Sequence, residues 1–224
     1  MKRFATLTIG QAPRPDLAPV FNAIAPEGVE VIHAGVLDGL TVEEIARDFA
    51  PLPGEGLLTS RLVDGTAVVM GKSAVRRGLQ QKIDMLEAQG ANPIVLLCTG
   101  EFEGLATKKA RLIEPDRLLP PIFSALLNPM QVGVLVPLIE QAVSELHKWE
   151  GFSKKPVFAA ASPYTATKEE LQAGARRLAE LGAEVIVLDC MGYSAALRDV
   201  CAEAVDVPVI ASSSMVAQLV KNLL

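Results

Sequence analysis

A chain of 224 residues, half apolar and 21% charged, can bury a substantial core as one large domain or two small ones. Its formal net charge of -5 excludes a general affinity for nucleic acid or for anionic membrane surfaces. No apolar run approaches the roughly 18 residues of a membrane span, and Met1-Lys2-Arg3-Phe4 leads into a strand-like run instead of a secretory leader, so a cytoplasmic location is expected.

Aliphatic runs alternate with amphipathic stretches from one end to the other. Phe4 to Ile9 is the first predicted strand. Gly10-Gln11-Ala12-Pro13-Arg14-Pro15-Asp16 is a breaker loop before a helix from about Leu17. A second strand is expected over Val29 to Ala34. A short helix over Thr41 to Phe49 opens with Thr41 as cap and Glu44 three residues on. Leu57 to Met70 is predicted as a hairpin turning at Asp64-Gly65. The helix Ser73 to Gln89 carries Val75, Leu79, Ile83 and Leu86 on one face and stops at Gly90. The buried strand Ile94 to Cys98 follows, then a strand at Arg111 to Glu114 and a helix over Asp116 to Leu127 broken near Pro120-Pro121.

The second half repeats the alternation. Val132 to Val136 is a strand, and Leu138, Ile139, Ala142, Val143 and Leu146 form the apolar stripe of the next helix. Val157 to Ala161 is a strand, and Thr167 with Glu170 caps a helix running to Leu181. Val185 to Cys190 and Val207 to Ala211 are strands, and Met215 to Leu224 is the last helix, with Ser212-Ser213-Ser214 as its cap and flanking turn. Such β-α alternation predicts an α/β protein with parallel sheets under helical covers.

The chain also resembles itself. Gly90-Ala-Asn-Pro-Ile-Val-Leu-Leu-Cys98-Thr-Gly100 aligns without a gap on Gly182-Ala-Glu-Val-Ile-Val-Leu-Asp-Cys190-Met-Gly192, with 7 of 11 positions identical and the cysteines 92 residues apart. A strand-Pro-helix unit around Pro13 has a counterpart around Pro137. Two similar Rossmann-like lobes related by pseudo-twofold symmetry follow from this repeat. The expected lobes are residues 1–128, joined by the C-terminal helix 212–224, and residues 129–211. Ligands of open parallel sheets sit beyond the carboxyl ends of the strands, so two facing sheets would bring both Cys-x-Gly turns to one cleft. Glycine after each cysteine lets a small anion approach the backbone.

These residues resemble a known family. Cys98-Thr99-Gly100 and Asp189-Cys190-Met191-Gly192, on strands of two similar halves, are similar to the aspartate/glutamate/hydantoin racemase superfamily. Thr8 to Asp16, Leu58 to Gly65, Gly182 to Gly192 and Asp206-Val207-Pro208-Val209 resemble its AroM family over nearly the whole chain. The resemblance implies a two-lobed fold, a cofactor-free site, and a racemase, epimerase or isomerase acting on a small carboxylate. One cysteine thiolate removes the proton beside the carboxylate and the opposite thiol returns one to the other face. Cys98 and Cys190 would be those catalytic residues, with Thr99, Gly100, Met191 and Gly192 holding the carboxylate. The flanking Thr99-Gly100-Glu101 and Met191-Gly192-Tyr193 depart from the Asn-Thr and Thr-Glu or Thr-His of the racemases. The alternatives are single-cysteine chemistry, as in related decarboxylases and cis-trans isomerases, or a non-catalytic small-acid-binding or regulatory protein linked to aromatic amino-acid metabolism. Relatives of this kind also imply a homodimer.

The chemistry suits thiols, because reversing a stereocentre needs groups able to serve as both acid and base. Three cysteines cannot all pair, no Cys/His spacing suggests zinc, and Cys201 is expected to be packing. Arg14 offers a planar fork to a carboxylate, or is simply exposed. Gly10 and Gln11 of the same loop are further candidate contacts. Ser162 and Tyr164 follow a strand and could reach a ligand, Tyr193 is a candidate wall, and Asp189 either tunes a thiol or caps a helix. His33 and His147 have no triad or metal spacing, and Lys72, Arg76, Arg77, Lys108 and Lys109 read as solvated faces. No GxGxxG or Walker motif is present, so no nucleotide cofactor is implied.

Overall fold

The computed structural model describes residues 2–224 and divides them into two compact units, 2–115 with 217–224 and 116–216. In the first unit, strands β1 (Lys2–Thr8), β2 (Val29–Gly35), β5 (Ala91–Leu97) and β6 (Leu112–Ile113) form a sheet ordered β2-β1-β5-β6. All its pairings are parallel. Helices α1 (Ala18–Ile24), α2 (Val42–Asp48) and α3 (Lys72–Ala88) belong to this unit. A separate antiparallel hairpin, β3 (Leu57–Arg61) with β4 (Ala67–Gly71), turns at the predicted Asp64-Gly65.

The second unit holds α4 (Pro115–Leu127), β7 (Val132–Val136), α5 (Ile139–Ser144), β8 (Val157–Ala160), α6 (Lys168–Glu180), β9 (Val185–Leu188), α7 (Ala195–Ala202) and β10 (Val209–Ala211). A 3-10 turn, Leu146–Trp149, follows α5, and α8 (Ser212–Lys221) ends the chain. The parallel sheet runs β10-β9-β7-β8. Superposing the cysteine repeat matches β5 with β9, β1 with β7, β2 with β8 and β6 with β10. The two sheets then have the same strand order. The duplication read from eleven residues therefore extends to the whole topology.

Local signals account for many boundaries. Both predicted capping boxes form: Glu44 N donates to Thr41 Oγ1 at 3.2 Å and Thr41 N to Glu44 at 2.8 Å, and Thr167 with Glu170 repeats both distances. Gly90 and Gly182, which follow α3 and α6, take φ of 80° and 87°, the left-handed conformation in which glycine pays no Cβ penalty. Buried aliphatics fill the core of each unit, with Val75, Leu79, Ile83 and Leu86 of α3 all inaccessible.

Three expectations are corrected. Helix α4 runs unbroken through Pro120 and Pro121. Its face of Leu119, Phe123 and Leu127 is buried, and that packing outweighs the hydrogen bonds two prolines cannot make. The apolar stripe after Val136 is not a core face: Ile139, Val143 and Leu146 are exposed, and only Ala142 of the stripe's helical residues is buried. Ser212 and Ser213 do not precede the last helix but lie buried in its first turn, where Ser213 Oγ donates to the Tyr193 carbonyl at 2.6 Å. Within the second unit Ser124 Oγ of α4 donates to the Gly151 carbonyl at 2.7 Å.

Two consequences are measurable. Thr167→Ala removes a cap and should cost about 1 kcal/mol, read from the urea midpoint. Burial pushes His33 down from 6.5, while its ring nitrogens lie 2.7 Å from Thr6 Oγ1 and 3.0 Å from Asn22 Oδ1. As pH falls, the unfolded chain takes up that proton before the folded one does. Stability should therefore be undiminished by His33 above about pH 6.5 and decline below it, and His33→Gln should flatten the denaturation midpoint between about pH 7 and 5.

Candidate functional site

Each parallel sheet ends its second central strand in a Cys-x-Gly turn, and the two turns have the same local geometry. In the first unit β5 runs into Cys98, and the Gly100 amide donates to Cys98 Sγ at 3.4 Å. In the second unit β9 runs into Asp189-Cys190, and the Gly192 amide donates to Cys190 Sγ at 3.3 Å. A backbone N–H aimed at sulfur favours its anionic form over the neutral thiol. Both glycines are also crowded, Gly192 more severely than Gly100. A Cβ on Gly100 would meet Leu58 Cδ2 at 3.0 Å, and one on Gly192 would meet the Tyr164 ring at 2.6 Å.

The surroundings differ between the halves. Cys98 is 8% exposed and packs in the first unit's aliphatic core. The β3–β4 hairpin reaches this end of the sheet, because Leu58 lies over the Gly100 turn while Ser60 and the Arg61 carbonyl crowd the Cα of Gly10. Leu58 and Ser60 are two apart on β3 and so share one face. Ser60 Oγ is buried with no hydrogen-bond partner among the described residues. Sequence reasoning missed this residue, since a lone serine in a hairpin carries no signal of burial.

Gln11 and Arg14 lie in the first unit but are committed to its structure. Gln11 Nε2 donates to the carbonyls of Leu37 and Leu40 at 3.3 and 3.4 Å, and its Oε1 accepts from Val63 N at 3.0 Å. The side chain is a strut between the hairpin and the segment after β2. Arg14 is 3% exposed, and its Nε and Nη2 bind the Asp16 carboxylate at 2.9 and 2.6 Å. Neither exposure nor an open fork describes it; an internal carboxylate already occupies two of its donors.

In the second unit Cys190 is half-buried, with Tyr164 Oη 3.7 Å from its sulfur. Tyr164 is set by its turn: its amide donates to Ser162 Oγ at 3.2 Å, and the Ala166 amide to the Ser162 carbonyl at 3.1 Å. Met191 and Tyr193, both expected to contact substrate, are core residues with essentially no exposed surface. Tyr193 donates its hydroxyl to the Ala161 carbonyl at 2.6 Å, and burial raises its pKa well above the usual phenol value. Thr99, the counterpart of Met191, is likewise buried. Cys201 is fully buried on α7, and burial pushes its thiol up to about 11, which suits the packing role expected of it.

Asp189 is not a helix cap. That role belongs to Ser194, whose Oγ accepts from Leu197 N at 3.4 Å. Asp189 Oδ2 instead lies 2.8 Å from Lys148 Nζ, with Glu145 Oε2 at 3.6 Å from the same ammonium, and all three side chains are at most 10% exposed. His147 is exposed, but its neighbours Lys148 and Trp149 turn inward. Among the described residues no three His, Cys, Asp or Glu side chains group in a way that could hold a metal ion, and no helix is long and apolar enough to cross a membrane.

Two open surface grooves lie elsewhere. One of about 710 Å³ in the second unit is lined by Pro137, Leu138, Phe158, Ser162, Glu170 and Arg177. Another of about 750 Å³ in the first unit is lined by Glu55, Lys72, Arg76, Arg77, Phe102 and Glu103. Neither is lined by Cys98 or Cys190. In the second groove Arg76 donates to the carbonyls of Glu103 and Gly104 at 3.0 and 2.8 Å, and Glu55 accepts from the Ser73 amide at the start of α3.

Solved structures share this fold. An allantoin racemase from Klebsiella pneumoniae superposes with a TM-score of 0.61 at 17% identity, over 100% of this chain and 87% of its own. A glutamate racemase from Thermus thermophilus in complex with β-chloro-D-alanine gives 0.65 at 17% identity, over 99% and 80%. An arylmalonate decarboxylase gives 0.53 at 15%, over 98% and 91%. Two parallel-sheet units ending in Cys-x-Gly turns thus define a protein of the racemase-like fold. Within it the chain belongs to the AroM family (AroM protein), which it matches over residues 4–224. No curated protein sequence matches it.

The buried ions give a direct test. Lys148→Met would leave Asp189 and Glu145 without their cation and should cost about 3–5 kcal/mol in chemical denaturation, whereas exposed Lys154→Met, whose partner is Glu184, should cost under about 1 kcal/mol.

Proposed function

We propose that this protein is a cofactor-independent isomerase of the racemase or epimerase type, in which Cys98 and Cys190 move a proton on a small carboxylate. The observation that carries the reading is the matched pair of sulfurs. Each stands at the same strand end of an identically ordered sheet and each accepts from the amide two residues on, at 3.4 and 3.3 Å. Packing explains a buried cysteine once. It does not explain the same amide contact at two repeat-related positions. Further support comes from the fold, which is shared with an allantoin racemase, a glutamate racemase and a decarboxylase.

In the proposed reaction one thiolate accepts the proton from the carbon beside the carboxylate and becomes a thiol. The resulting carbanion takes a proton on its other face from the second thiol, which is left as thiolate. The reverse direction exchanges the roles, so a single pair serves both hands. Backbone amides of the Gly100 and Gly192 turns are the proposed contacts for the carboxylate, with Gly10, Thr99 and Ser162 as further candidates. The substrate is taken to be small and anionic, and the working assembly to be a cytoplasmic homodimer.

The contrast between a half-buried Cys190 beside a hydroxyl and an aliphatic-packed Cys98 favours one further reading. In it Cys190 alone protonates a carbanion, as a decarboxylase would require. Both readings are separated by incubating amino acids, hydroxy acids, hydantoins and malonates in D2O and following the α-proton by NMR. Inversion with solvent deuterium uptake is expected, and Cys98→Ser and Cys190→Ser should each reduce it at least about a thousandfold. Loss in Cys190→Ser alone points to the single-thiol reaction. Full activity in both variants on a turned-over acid would sink the thiol mechanism.

A further inference from the structure

We propose that Tyr164 is a positioning residue for Cys190, donating its phenolic hydrogen to the sulfur and holding it as a thiolate. This rests on the reading of Cys190 as a proton-transferring group but assigns Tyr164 a different task from the substrate contact expected of it. The hydroxyl lies 3.7 Å from the sulfur, within range for a hydrogen bond to so large an atom. With both groups neutral, either could donate. Once the sulfur is anionic it has no proton to give, so the phenol must be the donor. The Tyr164–Cys190 contact therefore favours the deprotonated thiol, adding to the Gly192 amide at 3.3 Å.

The fold holds the phenol in place from two sides. Its own turn is closed onto Ser162, and its ring lies against the bare Cα of Gly192, where a methyl group would collide at 2.6 Å. Other titratable groups near the sulfur are already engaged or buried. Asp189, next along the chain, faces the Lys148 ammonium with Glu145 beside it. Tyr193 gives its hydroxyl to the Ala161 carbonyl, and Cys201 on α7 is buried with its thiol held neutral to about 11. Tyr164 is thus the side-chain hydroxyl placed to answer the charge on Cys190.

The test needs no substrate. Iodoacetamide labelling of each cysteine in the full chain is followed by mass spectrometry between about pH 5 and 10, since the thiolate is the reacting form. Tyr164→Phe should slow Cys190 labelling about tenfold near pH 7 and move its midpoint up by about one unit, with the rates converging at high pH. The Cys98 profile should stay unchanged, and Cys201 should remain unlabelled as the marker of an intact fold. Superimposable Cys190 profiles, or a change of equal size at every pH, would overturn the assignment.

If Tyr164→Phe exposes Cys201, the reciprocal measurement decides. The two tyrosines are Tyr164 and Tyr193, and burial raises Tyr193 well above the ordinary phenol value. In Cys190→Ser the lower phenolate transition, read by ultraviolet absorbance, should move to lower pH because no thiolate opposes it. An unmoved transition refutes the pairing. Deuterium exchange that fails on every acid while the labelling shift holds would reject the isomerase reading and leave the Tyr164–Cys190 pair standing.

Discussion

The contact between a strand-end sulfur and the amide two residues on is the constraint around which each half is arranged. It requires a strand that delivers cysteine at its carboxyl end, then a turn tight enough to bring the next-but-one N–H back onto the sulfur. It also requires glycine, because something packs against that Cα on both occasions, Leu58 in one unit and Tyr164 in the other. Strand, cysteine and glycine are therefore a single mechanical unit. The sheets, four parallel strands in the same order, are the frame that carries it twice.

Around that common unit the halves have diverged. The first is crossed by a hairpin with no counterpart in the second, tied down by the Gln11 strut and by the Gln11 amide donating to the Arg61 carbonyl at 3.3 Å. Its thiol is dry. The second unit sets a phenol beside its thiol and a buried Lys148–Asp189–Glu145 cluster one residue away. Duplication preserved the backbone, while the side chains that tune each sulfur were free to change.

Several parts of this structure were legible in the residues. Capping boxes at Thr41 and Thr167 form as written, because a hydroxyl and a carboxylate three apart satisfy donors within one turn. The Gly90 and Gly182 stops and the Asp64-Gly65 hairpin are equally local. Other readings failed where the outcome depended on distant partners. The stripe from Leu138 to Leu146 has helical spacing, yet most of it faces outward. The surroundings of Arg14, Gln11, Met191 and Tyr193 are equally non-local. The fold spends the first two on internal hydrogen bonds and the last two on core packing.

By itself the sequence determined the alternation of strands and helices, the duplication, and the two cysteines at equivalent strand ends, since each is written in periodicity or direct repetition. Only the tertiary structure decided which polar side chains meet. Lys148 reaches Asp189 across 41 residues, and Tyr164 reaches Cys190 across 26. Nothing in the local pattern links either pair. They come together because β7, β8 and β9 lie in one parallel sheet, and the segments that follow these strands bring into contact side chains that share no sequence signal.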